Sequence, residues 1–302
     1  MNSNQHSRYV LIQRFSLLLL LVLLITGCER DVEIDLPIDQ NMLVIEGQIE
    51  AGKAPKVLVS RNRGFFDTFP ANLEDFIEKF IVQDAVVTVN DGTKTVNLQF
   101  VFDPMNYPYV YYTSNELTGE VGKTYKLHVA AEGKEVSATT IIPPPVALDS
   151  IFFRLNVFDK EEDSLGFVFA RLTDPDTLGN AYKLYSKRNS EKEYFPVEAA
   201  SFNDEYINGL TIEFFNQRST QPFGQKDTFI KEDFFYTLGD TVYIKFCSMG
   251  WKEVDFFRTF DIARNSNGNP FAAPTLIKSN IIGGLGVWCG LGASYDTLIT
   301  SK

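Results

Sequence analysis

Val86-Val87-Thr88-Val89-Asn90-Asp91-Gly92, followed after Thr93-Lys94 by Thr95-Val96-Asn97-Leu98-Gln99-Phe100, decides the fold class of this chain. Both arms alternate apolar and polar residues with a period of two and are rich in β-branched side chains, the pattern of a half-buried strand. Between them, Asn-Asp-Gly supplies the residues that tolerate positive φ, as a tight hairpin requires. Upstream, Met42–Ile49 and Pro55–Ser60 have the same β-rich texture and are joined by the turn Ala51-Gly52-Lys53. Downstream, Tyr125-Lys126-Leu127-His128-Val129 turns through Glu132-Gly133-Lys134 into Glu135–Ile141. The alternation puts His128 beside Lys126, on the face opposite Leu127 and Val129, and so outward. Short strands at this spacing predict an immunoglobulin-like or transthyretin-like β-sandwich over residues 41–142.

Pro143-Pro144-Pro145 cannot lie in a central strand and marks the expected boundary. Beyond it, residues 148–302 predict a second β-rich domain with strands near Asp149–Leu155, Leu165–Leu172, Ala181–Ser186 and Asp240–Cys247. One helix is expected near 248–264. There Trp251, Val254, Phe257 and Ile262 recur at helical spacing, with Ser248 as N-cap and Glu253 and Asp255 near the start. Leu73–Phe80 fits a short amphipathic helix covering a sheet edge. The chain shows no repeat period of an array.

The first 27 residues are of another kind. They carry Arg8 and Arg14, no acid, and the apolar run Phe15–Ile25, the layout of a secretory signal peptide. The run ends in Ile25-Thr26-Gly27-Cys28, which resembles the lipobox of bacterial lipoproteins. Small residues there let a peptidase approach, and the Cys28 thiol is the nucleophile for lipidation. Removing this leader takes away two arginines and moves the net charge from −11 to −13. Residues 28–40 then form a lipidated acidic linker, whose opening Glu29–Asp35 resembles the surface-export signal of Bacteroidota-type lipoproteins. The expectation is a protein anchored to the outer membrane by lipid, with cell-surface exposure favoured. An acidic exported chain is a poor candidate for binding nucleic acid, which needs basic surface. His128 is the one histidine left after the leader, so no multi-histidine metal site is available.

Other constellations weigh toward structure rather than chemistry. Cys247 and Cys289 each follow an aromatic residue, and in an exported protein they fit either a disulfide or two buried thiols. A disulfide would add about 3–4 kcal/mol in the chain-entropy model. Asp174-Pro175-Asp176-Thr177-Leu178-Gly179 superficially resembles a calcium loop, but Leu178 offers no oxygen and the glutamate position holds Tyr185. It reads as an Asp-Pro turn, and no metal or other cofactor is expected. Gly283-Gly284-Leu285-Gly286 lacks the lysine of a phosphate loop, and its glycines fit a bulge or close backbone approach. Ser294 has no nucleophile-elbow context, and a triad would have to borrow His128 from the other domain. Arg61, Arg63, Phe65, Phe66 and Phe69 are the one local concentration of arginine and aromatics, and form the candidate contact patch.

The lipobox with its acidic start, Leu43-Val44-Ile45-Glu46-Gly47, Asp84–Val89, Gly122-Lys123-Thr124-Tyr125, Asn180-Ala181-Tyr182, the strand-helix unit Asp240–Arg264 and Ser279–Val287 together resemble one family. It is the Bacteroidota lipoprotein family catalogued as Domain of Unknown Function 4249. The resemblance implies a cell-envelope lipoprotein, often encoded beside TonB-dependent outer-membrane receptors, and hands over no catalytic residues. The functional expectation is a non-enzymatic accessory that binds a TonB-dependent receptor or another envelope protein. The alternatives are an envelope-polymer hydrolase using paired carboxylates and a structural or adhesion component. Paired buried carboxylates in a cleft would favour the hydrolase, and an exposed aromatic patch the binder.

Overall fold

The computed structural model describes residues 42–62, 72–106, 108–156, 164–189, 191–218, 234–266 and 275–302. In chain order the strands are β1 (Leu43–Glu50), β2 (Lys56–Arg61), β3 (Val86–Asn90), β4 (Thr95–Phe102), β5 (Val110–Thr113), β6 (Thr124–Ala131) and β7 (Lys134–Ile141). They continue as β8 (Ser150–Leu155), β9 (Leu165–Thr173), β10 (Ala181–Arg188), β11 (Phe195–Asn203), β12 (Thr211–Asn216), β13 (Tyr236–Thr237), β14 (Thr241–Ser248) and β15 (Leu285–Ile299). Two helices complete the described residues, α1 (Leu73–Phe80) and α2 (Trp251–Ser266). The protein is mainly β, as its patterning predicts.

The β3–β4 hairpin is the element most fully specified by its own sequence. Asn90 pairs with Thr95, Gly92 takes φ +90°, and Asp91 Oδ1 accepts hydrogen bonds from Thr93 N, Thr93 Oγ1 and Lys94 N. Those donors hold the Asp91 carboxyl well below the usual carboxylate range, and Lys123 Nζ, 3.0 Å away, adds to the effect. Alternation along β3, β4, β6 and β7 sends Val87, Val89, Val96, Leu98, Leu127, Val129, Val136 and Ala138 into one core. His128 faces outward, with Nε2 3.6 Å from the Glu135 carboxylate.

Eleven strands share one sheet in the order β11-β10-β14-β15-β1-β2-β5-β4-β3-β6-β7. The residues on either side of Pro143–Pro145 build different cores, yet they belong to one compact unit running from Gln40 to Lys302. The strand that joins them is β15. Its first half pairs parallel with β1 (Gly47 opposite Trp288), and its second half pairs antiparallel with β14. Trp288 is fully buried in the first core, and its Nε1 donates to Tyr125 O at 3.1 Å. Gly47 makes room for it: a Cβ there would lie 2.7 Å from Trp288 Cε3. The sandwich expected over 41–142 is thus completed by a strand from the far end of the chain. Gly286, at φ +108°, brings β15 against the Ile45 backbone, the close approach read from the glycine run.

A second sheet, β8-β9-β12 with β13 also on β9, packs over one face of β10 and β14. The opposite face of those strands lies under α2, through Val254, Phe256 and Phe257. The helix begins three residues later than its sequence suggests. Ser248 is still strand, paired with Tyr182 and Gly292, and its Oγ accepts from Val146 N at 3.1 Å instead of capping the helix. Helix α1 starts at Asn72, whose side chain accepts from Asp75 N at 2.8 Å. It leads into Ile81 and Val82, which pair with Ser60 and Val59 beside β2.

Candidate docking surface

The outer face of the second sheet is aromatic. Along β9, Val168, Ala170 and Leu172 point into the core, which leaves Phe167, Phe169 and Arg171 on the other side. The register sets Phe152 beside Phe169, and Phe215 beside Phe169 on the other flank, while Ile151, Phe153, Ile212 and Phe214 turn inward. Phe152 and Phe169 stack with centroids 5.7 Å apart and planes 9° from parallel. Phe215 meets Phe167 at 5.1 Å and Phe169 at 5.8 Å, and Phe235 meets Phe167 at 5.0 Å. The Arg154 guanidinium lies over both Phe152 and Phe169, 4.6 and 4.5 Å from their centroids. It also pairs with Glu213 at 2.6 Å, and Arg171 reaches the same carboxylate at 3.4 Å. Phe215 is 54% exposed and the other four rings are half-buried. The result is an aromatic platform edged by held charges, and phenylalanine and arginine are both enriched at protein interfaces.

A different chemistry occupies the sheet face near α2. Glu50 and Lys245, both buried, form a knot with the more exposed Tyr295. Lys245 Nζ lies 2.6 Å from Glu50 Oε2, Lys53 Nζ 2.8 Å from Oε1, and the Tyr295 hydroxyl donates to Oε1. Burial raises the Glu50 carboxyl, but the two ammonium groups and the hydroxyl outweigh it, and the net displacement is downward. Next to the knot, the Tyr185 ring lies 5.2 Å from Lys245 Nζ and 5.7 Å from Lys183 Nζ. Lys183 is 3% exposed, donates to Ser201 Oγ at 2.9 Å and sits 4.2 Å above the Phe257 ring. Burial pulls its pKa down, against the attraction of Asp261. Glu46 shares this sheet face. The residue is exposed as a whole, and desolvation by the surrounding protein raises its pKa, partly opposed by Lys183. Glu50 is committed to its lysines.

Of the residues singled out from sequence, Cys28, Arg63, Phe65, Phe66 and Phe69 lie outside the described residues. Arg61 is occupied structurally: it pairs with Glu132 at 2.6 Å and donates to the carbonyls of Lys79 and Ile81. Cys247 and Cys289 are free and buried on the same side of the sheet. Cys247 pairs with Ala293, four positions along β15 from Cys289, about 13 Å in a regular strand. Burial pushes the Cys247 thiol up to about 12 and raises Cys289 as well. The Ser294 hydroxyl donates to Val146 O at 3.0 Å and has no bond to His128. Among the described residues, no three histidine, cysteine or carboxylate side chains converge as a metal site. No helix among them is long and apolar enough to cross a membrane.

The aromatic platform has a sequence signal, Phe167-Val168-Phe169-Ala170-Arg171, but apolar residues on both sides of that strand hide which side faces solvent. A family model described as Domain of unknown function (DUF4249) matches residues 29–294. No match was found among curated proteins.

Proposed function

This chain belongs to the DUF4249 family, a domain of unknown function, and from that premise we propose that it is a lipid-anchored accessory of the bacterial outer membrane. It docks against another envelope protein, a TonB-dependent receptor, through the platform of Phe152, Phe167, Phe169, Phe215 and Phe235. The single observation that carries this reading is that platform, with Arg154 stacked on two of its rings. Phenylalanine and arginine on a flat sheet suit a protein partner, whose apolar side chains fill the space between rings. Ile25-Thr26-Gly27-Cys28 after the apolar run supports cleavage and lipidation at that cysteine. Acyl chains at Cys28 contribute about 0.8 kcal/mol per buried methylene, enough in pairs for stable anchoring. The mechanism is positional: the tether confines the domain to the membrane plane, so a weak face-to-face contact is made at high local concentration.

Two experiments test this. Cys28→Ala should move the protein from the membrane to the soluble fraction, and retention in the membrane would remove the anchor. For docking, a photo-crosslinking amino acid is placed at Phe215, and at Thr139, which is exposed on β7, as control. Irradiated cells should give a discrete adduct with a TonB-dependent receptor from position 215 only. Equal adducts at both positions, or none at 215, would refute the platform as the docking face.

A further inference from the structure

Two turns meet at one end of the second sheet. Asp174–Asn180 joins β9 to β10, and Asp204–Leu210 joins β11 to β12. They are stitched together by main-chain bonds from Asp174 N to Leu210 O and from Asp204 N to Asn180 O. Their acidic side chains are drawn inward: Asp204 is fully buried and Asp174 is 2% exposed. Asp204 Oδ2 accepts from Gly179 N and Asn180 N, both at 2.8 Å. Asp174 Oδ1 accepts from the Tyr182 hydroxyl at 2.5 Å, and Oδ2 from Gly209 N at 3.3 Å. Asp176 reaches the same place, since a Cβ on Gly209 would stand 3.2 Å from its Oδ1.

Two facts set this apart from an ordinary pair of turns. First, among the described residues no lysine or arginine forms an ion pair with Asp174, Asp176 or Asp204, although two of these carboxylates are buried. Buried carboxylates are ordinarily paired or coordinated to a cation. Their charge is felt nearby: after burial, Asp174 and Asp204 are what push the Tyr182 hydroxyl up. Second, Asp204 Oδ1 and Asn208 Oδ1 are both buried without a hydrogen-bond donor. The two oxygens belong to one tight turn, in which Asn208 N donates to Asp204 O at 2.9 Å. Acceptor oxygens left without donors beside unpaired negative charge call for a positive ligand.

We propose that Asp204 Oδ1 and Asn208 Oδ1, with Asp174 and Asp176 supplying further charge, form a calcium site that clamps the two turns together. The donor set selects the ion. It is all oxygen and mixes carboxylate with amide. This suits the flexible six-to-eight coordination of Ca²⁺ at about 2.3–2.6 Å better than the strict octahedron of Mg²⁺, and thiophilic metals have no sulfur here. Main-chain carbonyls and water complete the shell. The linear spacing from Asp174 fails as a calcium loop because the two free oxygens lie on the other turn, about thirty residues further on.

The test uses the full-length mature protein, stripped with EDTA and dialysed. Thermal unfolding is followed with CaCl2, MgCl2 or NaCl at matched ionic strength, and Tb³⁺ luminescence is read on excitation of tyrosine. Calcium in the millimolar range should raise Tm by several degrees in a saturable way, magnesium by much less, and Tb³⁺ emission should be displaced by calcium. Asp204→Asn keeps the acceptor for Gly179 and Asn180 but removes the charge. It should abolish the calcium response and the Tb³⁺ signal while raising the Tm of the metal-free protein. A merely structural aspartate would not behave so. Should that variant fail to fold, Asn208→Ala decides, with at least a tenfold weaker calcium response expected. An unchanged Tm with calcium in the wild type, or a full calcium response in Asp204→Asn or in Asn208→Ala, overturns the site and leaves water as the partner of these oxygens.

Discussion

Gly47 and Trp288 make the most demanding test of how the two ends of the chain share a core. Trp288 is fully buried, and its indole N–H satisfies Tyr125 O. Trp288→Leu removes the benzo ring and that donor, and large-to-small changes of this kind cost about 3–5 kcal/mol. Gly47→Ala places a methyl group 2.7 Å from Trp288 Cε3, too close by several tenths of an ångström. Neither the ring nor the paired backbone can yield freely, so about 1–3 kcal/mol of overpacking is expected. The double variant is the diagnostic. With the ring gone, the alanine methyl enters the vacated space, and the clash disappears. Gly47→Ala/Trp288→Leu should therefore be about as stable as Trp288→Leu alone, giving a coupling about equal to the cost of Gly47→Ala. Urea unfolding of the four proteins, followed by far-ultraviolet circular dichroism at constant m, gives all the numbers. Strict additivity, or a Gly47→Ala protein as stable as wild type, would refute the claim that Gly47 is glycine to admit Trp288.

The same argument predicts that a fragment of residues 42–142 lacks a cooperative unfolding transition, because β1 loses its β15 partner and the core loses Trp288; a sharp urea transition would show that the fragment folds alone. Glu50→Gln should destabilise by about 3–5 kcal/mol by leaving Lys245 buried without its partner. Glu50 also has a pH signature: its folded pKa is depressed, so its stabilising contribution is present above the unfolded value near 4.5 and lost as pH falls through the lower folded one. The urea midpoint of wild type should thus fall more steeply below pH 4.5 than that of Glu50→Gln, and parallel curves would exclude the effect. Cys247 and Cys289 should react with a maleimide only as the protein unfolds, and reductant should leave Tm unchanged; fast labelling of the native protein would contradict their burial.

How far the sequence discloses this structure depends on how far apart the interacting residues lie. The hairpin at Asn90–Thr95 is legible because every determinant is local: alternation, turn residues, and an aspartate that accepts from the residues two and three further on. The β1–β15 pairing is not. Neither Leu43–Glu50 nor Leu285–Leu291 carries a mark of its partner, and the complementarity of Gly47 with Trp288 has meaning only once the strands are adjacent. The late start of α2 has a similar origin. Ser248 has the chemistry of an N-cap, but the neighbouring strands and Val146 N compete for it and win. The platform is hidden for a further reason. In Phe167-Val168-Phe169-Ala170 both faces are apolar, so periodicity reports a strand without saying which side is covered. Burying Val168 and Ala170 lets the second sheet approach β10 and β14 closely, and the bulkier rings are left outside.

That inversion, small residues inward and large aromatics outward, bears on function as well as packing. A protein that minimised exposed apolar area alone would bury Phe167 and Phe169 and expose Val168 and Ala170. Here the register of β9 does the opposite, and Arg154 and Glu213 shield the rings without removing them from solvent. The strands that carry these rings, β9 and β12, are also the ones bounded by the two acidic turns, since Thr173 pairs with Thr211 at the junction. A cation that draws Asp204 and Asn208 toward the β9–β10 turn therefore holds β12 in register beside β9, and with it Phe215 against Phe167 and Phe169. The clamp and the platform are two ends of the same pair of strands. Loss of the proposed clamp would reach the aromatic face through their register, with no change to any residue of the face itself.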